Sequence, residues 1–191
     1  MTTLMAKQKL WIGGGLLLLL IATRGQHFDS LVNLGDATLA VFFLTALLFG
    51  GWAAFPALIL AVGLVDYSAI QFGGVSSWCV TSAYLMLIPT YAAMWAGGLI
   101  TRRLSCSTTG AIQSALLLAT STVAAFAVSN IGFYLFSGYF DAMAVGEYAG
   151  RVAGYLPGYL AYTLLYGGLG LGVTALLSTA ETTGETASSA S

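Results

Sequence analysis

Five residues in this chain have side chains that could hold or act on a ligand: His27, Asp66, Cys79, Tyr84 and Arg151. Cys79 lies in Ser76-Ser-Trp-Cys-Val80, at a polar, aromatic-rich helix start. There the positive end of the helix dipole favours the thiolate, which is a soft ligand for transition metals. The competing reading is a small buried hydrophobe. Tyr84 follows five positions later, near the same helix face but rotated from it. His27 is the only histidine, in Arg24-Gly-Gln-His-Phe-Asp29; its imidazole can bind a metal or donate and accept hydrogen bonds, although a lone loop histidine is more often simply solvated. Asp66 interrupts an apolar run. An ionised carboxylate at mid-membrane costs at least ~2.5–3.5 kcal/mol, so it faces a cavity or a partner unless it sits hydrated at the interface. Its expected cation is Arg151, which could also clamp an amide- or phosphate-bearing ligand. Cys106, beside Arg102 and Arg103, has no such companions and reads as incidental.

These residues are far apart in sequence, so long elements must bring them together. Of the 191 residues, 58% are hydrophobic and 7% charged, against about 25% charged in an ordinary soluble domain. Lipid must therefore solvate the chain. The net charge of −1 gives no reason to expect nucleic acid, and two cysteines make no disulfide framework.

The apolar runs are continuous rather than alternating, which predicts helices and not a barrel. A span needs ~20 apolar residues to cross ~30 Å. Six are expected: Leu10–Thr23, Asp36–Gly50, Trp52–Ile70, Val80–Ile100, Gly110–Phe136 and Tyr148–Leu177. The first could instead be the core of a signal peptide, although no small-x-small cleavage site precedes Arg24. Residues 1–177 form one all-α integral membrane domain on this reading, and residues 178–191, rich in Ser, Thr and Ala, a disordered polar tail. Lys7, Lys9, Arg102 and Arg103 then share one face against Arg24 and Arg151 on the other, so both termini are expected in the cytoplasm. That threading puts all five candidate residues at or near the outer face.

Pro157 and Gly158, in Tyr155-Leu-Pro-Gly-Tyr159, should kink the sixth span and open space near its outer end. Alanines at 53, 57 and 61, alanines at 111, 115 and 119, and glycines at 168 and 172 recur at i, i+4. Such stripes suit close helix packing, within the chain or onto a partner. No Gly-Lys pair occurs, so there is no Walker A loop and no ATPase chemistry. There is also no His-Glu-x-x-His zinc motif.

Six short spans, an outer pocket and no motor resemble the substrate-binding S-components of energy-coupling-factor vitamin transporters, and among them the vitamin B12-specific group. The residues behind the resemblance are His27-Phe28 before Leu34-Gly-Asp-Ala37, Asp66-Tyr67, Trp78-Cys79 followed by Tyr84, and Arg151. It covers about residues 10–177.

The resemblance implies an S-component fold in a bacterial inner membrane and cobalamin as the transported ligand. It further implies an energising module of coupling subunit and ATPases as possible partner, with the Ala53/Ala57/Ala61 stripe as the surface that meets it. Cys79 would be an axial cobalt ligand able to promote loss of cyanide from cyanocobalamin, with His27, Asp66, Tyr84 and Arg151 holding the corrin amides or nucleotide tail. Two other readings stand beside it: an S-component for a different vitamin, and a membrane haem- or metal-binding enzyme using Cys79 or His27.

Overall fold

The computed structural model describes residues 6–24, 35–74, 76–105 and 107–188, the side chains of 6, 7, 9, 79 and 175–188 excepted. His27 and Cys106 lie outside the described residues. Every regular element described is helical: α1 (Ala6–Arg24), α2 (Thr38–Leu48), α3 (Ala54–Phe72), α4 (Leu87–Thr101), α5 (Thr108–Phe136), α6 (Val145–Ala153) and α7 (Leu156–Ser188). Two short 3-10 turns, Ser77–Cys79 and Ser82–Met86, join α3 to α4. Helices are what lipid demands, because each peptide group must find its partner inside its own segment.

Among the described residues, three segments are long and apolar enough to cross a membrane: Ala54–Phe72, Ser82–Thr101 and Thr108–Phe136. Leu10–Arg24 and Thr38–Leu48 are shorter apolar helices. Large apolar side chains stand exposed along the outer faces, among them Leu60, Leu64 and Phe72 on α3, Leu116 and Leu135 on α5, and Leu165 and Leu169 on α7. Monomeric soluble proteins rarely show water such extended apolar surface. These faces belong in lipid, and the chain has the character of an integral membrane protein.

Helix α2 is the centre. All residues from Thr38 to Leu47 are buried, and α1, α3, α4, α5 and α7 each pack against it. Glycines let the neighbours approach: a Cβ at Gly98 of α4 would lie 2.2 Å from the Phe43 carbonyl oxygen, and one at Gly170 of α7 would lie 2.4 Å from Leu44 Cδ1. The 11 residues of α2 rise only about 16 Å, roughly half the hydrocarbon thickness. Space is therefore left beyond one of its ends.

The expected spans map onto these helices with several differences. Val80–Ile100 opens with a 3-10 turn and α4 starts only at Leu87, so Cys79 ends a short turn and does not stand at the start of a long helix. Tyr148–Leu177 is two helices, broken at Gly154-Tyr155, with Pro157 in the first turn of α7, where its missing N–H is harmless. Helix α7 also continues to Ser188, through the segment expected to be a disordered tail; extending an existing helix adds one hydrogen bond per residue fixed and needs no new nucleus. Most members of the small-residue stripes do not pack inside the chain, Ala61 and Ala119 being half-buried. Ala53, Ala57, Ala111, Ala115, Gly168 and Gly172 are exposed, while Gly97, Gly98, Gly132, Gly167 and Gly170 make the tight approaches. In helices this rich in Gly and Ala, i, i+4 pairs occur on every face, so spacing alone does not select the packed one.

Candidate functional site

Beyond the N-terminal end of α2 lies a cavity of about 560 Å³, within the ~300–1,000 Å³ usual for small-molecule sites. Its wall is formed by the last residues of α1, the start of α2, the end of α3, both 3-10 turns, the start of α4, the second half of α5 and Tyr159 of α7. Leu39, Ile70, Leu87, Phe126 and Phe133 give it apolar sides, and Arg24, Asp36 and Asp66 are the charged residues that line it among those described.

A hydrogen-bonded network runs along this wall. Arg24 donates from Nε to Asp66 Oδ1 and from Nη2 to Asp66 Oδ2, both at 2.6 Å. This is the bidentate, charge-assisted geometry that makes arginine–carboxylate pairs strong. Nη1 donates to the Tyr91 hydroxyl at 3.0 Å and reaches Asp36 Oδ2 at 3.4 Å. Tyr84 donates its hydroxyl to Asp66 Oδ2 at 2.7 Å. Tyr91 is in turn fixed by stacking on Phe42 of α2, with ring centroids 4.3 Å apart and 8° between planes. The ends of α1 and α3 are thereby tied to the start of α4 through one guanidinium. Its side chain is 13% exposed and that of Asp66 22%, so the pair is largely withdrawn from solvent.

The turns that carry Cys79 are shaped by short polar caps. Gly74 takes φ +68°, a left-handed conformation that favours glycine, just beyond the end of α3. The Ser76 hydroxyl accepts from the Trp78 amide at 3.2 Å and the Thr81 hydroxyl from the Ala83 amide at 3.2 Å. Trp78 stacks on Tyr139 at 4.7 Å and 5°, and the Tyr139 hydroxyl donates to the Trp78 carbonyl at 3.0 Å. The segment after α5 thus grips the turn both by a ring face and by its backbone. Trp78 and Val80, on either side of Cys79, line the cavity.

Of the five residues singled out in the sequence, Asp66 and Tyr84 are brought into direct contact at the cavity. The backbone of Cys79 lies between two lining residues. Arg151 does not pair with Asp66. It sits on exposed α6 and donates to Glu147 at 2.7 Å, one helical turn away. Arg24 holds the position expected for it. Arg24 ends α1, and Asp66 lies near the end of α3; the two are close because both helices run toward the cavity. Arg24, Asp36 and Tyr91 were not anticipated as site residues. The signal was present in an unpaired arginine at the end of one apolar run and an aspartate near the end of another. Among the described residues no three His, Cys, Asp or Glu come together as a metal site.

No protein-family model matches the sequence, and no curated protein is significantly similar to it.

Proposed function

We propose that the chain is the substrate-binding component of a vitamin B12 uptake system, an S-component of the BtuM type, with six membrane passages and both termini in the cytoplasm of a bacterium. The observation that carries this reading is the single cavity wall formed by Asp66, Tyr84 and the residues flanking Cys79. Two of the five candidate residues, Asp66 and Tyr84, meet at one end of the bundle, where the backbone of Cys79 also passes, beside aromatic walls suited to a flat macrocycle.

Cobalamin is the cargo on this reading. The Cys79 thiolate gives an electron pair to Co(III), forming a cobalt–sulfur bond. In cyanocobalamin the bond to carbon breaks with its own pair, and cyanide leaves. The metal stays Co(III), so no oxidant or reductant is needed. His27 and Arg151 remain proposed contacts to the corrinoid periphery. Energy comes from a separate module, and the exposed Ala53 and Ala57 are the proposed contact with its coupling subunit.

A second reading, an S-component for a smaller vitamin, is favoured by the cavity volume. A whole cobalamin exceeds about 560 Å³, so on the first reading the nucleotide arm stays outside. The absorption spectrum of protein purified with added cyanocobalamin separates the two. Cobalamin reading: a retained corrinoid whose bands differ from the free compound in wild type and revert in Cys79→Ser. If no corrinoid is retained, the cobalamin reading fails; if Cys79→Ser retains the wild-type spectrum, cobalt–thiolate ligation fails. A chromophore present without added corrinoid would point to haem.

A further inference from the structure

The two carboxylates of the cavity are not equivalent. Both oxygens of Asp66 are engaged by short bonds, from Arg24 and from Tyr84. Asp36 differs. Its Oδ1 accepts from the Thr38 amide at 2.8 Å and from the Thr38 hydroxyl, which places it as a cap on the first turn of α2. Its Oδ2 meets, among the described residues, only Arg24 Nη1 at 3.4 Å, beyond the usual range of a good N–H···O bond. The side chain is 51% exposed and lines the cavity. Charge points the same way: one arginine against two aspartates leaves the described wall one formal negative charge in excess, and the arginine's charge is directed at Asp66.

We propose that Asp36 is the residue that selects what enters, by accepting hydrogen bonds from N–H donors of the ligand, and that the cavity admits amide-bearing corrinoids while rejecting carboxylate-bearing ones. This rests on the corrinoid reading above. A carboxylate has lone pairs to offer but no proton to donate, so against a primary amide it accepts and against another carboxylate it repels. The cargo must accordingly come from a reaction sequence that has already converted the peripheral carboxyls of the corrin into amides.

The test compares two probes on the detergent-solubilised full chain: cobinamide, with its peripheral carboxyls amidated, and the corresponding corrin polycarboxylate. Calorimetry should show wild type binding cobinamide at least tenfold more tightly. Asp36→Asn keeps an oxygen to cap the first turn, since asparagine serves there as well as aspartate, and replaces the charged acceptor Oδ2 with a neutral N–H donor. It should lower the preference for cobinamide by about tenfold, the scale of one charge-assisted hydrogen bond. The readout is a ratio of two affinities in the same protein, so a partial loss of folded material does not mimic it. An unchanged ratio in Asp36→Asn, or a wild type that binds the polycarboxylate equally well, overturns this proposal and leaves cobalamin binding standing. A wild type that binds neither probe overturns both.

Discussion

Replacing one member of the Arg24–Asp66 pair should destabilise the protein far more than replacing both. The guanidinium makes two bonds of 2.6 Å to the carboxylate, and exposures of 13% and 22% mean that neither partner can recover its hydration without movement. Removing one partner from such a pair typically costs about 3–5 kcal/mol, whereas exchanging both for apolar groups is often near neutral. Arg24→Met strands Asp66 with only the Tyr84 hydroxyl, so about 3–4 kcal/mol is expected, near the low end because the cavity admits some water. Asp66→Leu should cost less, about 2–3 kcal/mol, since Arg24 keeps Tyr91 at 3.0 Å and Asp36 at 3.4 Å. With the double variant costing no more than about 1 kcal/mol, the coupling energy is about 4–7 kcal/mol. Equilibrium unfolding in mixed micelles of detergent and SDS measures all four proteins. Single variants within about 1 kcal/mol of wild type would make this a hydrated surface pair and refute the reasoning. So would a double variant no better than the worse single.

Arg151→Ala removes an exposed pair with Glu147 and should change stability by less than about 1 kcal/mol in the same unfolding assay, so any loss of corrinoid affinity it causes would report contact with the ligand. Gly98→Ala drives a methyl into the Phe43 carbonyl and should destabilise by about 1–3 kcal/mol, while Gly172→Ala, with open space at its Cβ, should be neutral or slightly stabilising in unfolding. Tyr139→Phe deletes the bond to the Trp78 carbonyl and should cost about 1 kcal/mol; Tyr139→Leu removes the stacked ring as well, for a further ~0.5–1.5 kcal/mol, and should alter Trp78 fluorescence where Tyr139→Phe does not. An impermeant thiol reagent on intact spheroplasts should label Cys79 and spare Cys106 if the outer-face assignment is right, and the reverse pattern overturns it.

Sequence periodicity and length were enough to place α1, α2, α3 and α5 to within about four residues, because lipid leaves the backbone almost no alternative, whereas α4 starts at Leu87, seven residues after the expected Val80, behind two 3-10 turns. They were also enough to mark Asp66, since a carboxylate inside an apolar run needs a reason. Its partner was not legible. Arg24 and Arg151 both stood on the outer side of the threading, and only the packing of α1 beside α3 decides between them. Asp36 was visible as part of Leu34-Gly-Asp-Ala37, but that its second oxygen meets Arg24 only at 3.4 Å depends on how α1 packs beside α2. The break before Pro157 was expected as a kink; that it separates a short exposed helix from a long one depends on Tyr148 of α6, which is buried and donates to the Asn130 carbonyl of α5 at 3.1 Å.

The shortness of α2 also bears on how the protein is made. A segment leaving the ribosome enters the bilayer if it is long and apolar enough to bridge it, and 11 residues are too few. Helix α3, which follows after the turn at Gly50 (φ +60°), is long enough. The two must therefore leave the insertion channel together, as a hairpin in which α3 carries α2. Phe43 and Leu44 then wait for Gly98 and Gly170, which follow later in the chain, to arrive. Until α7 is in place, α2 lacks one of the helices that bury it in the finished molecule.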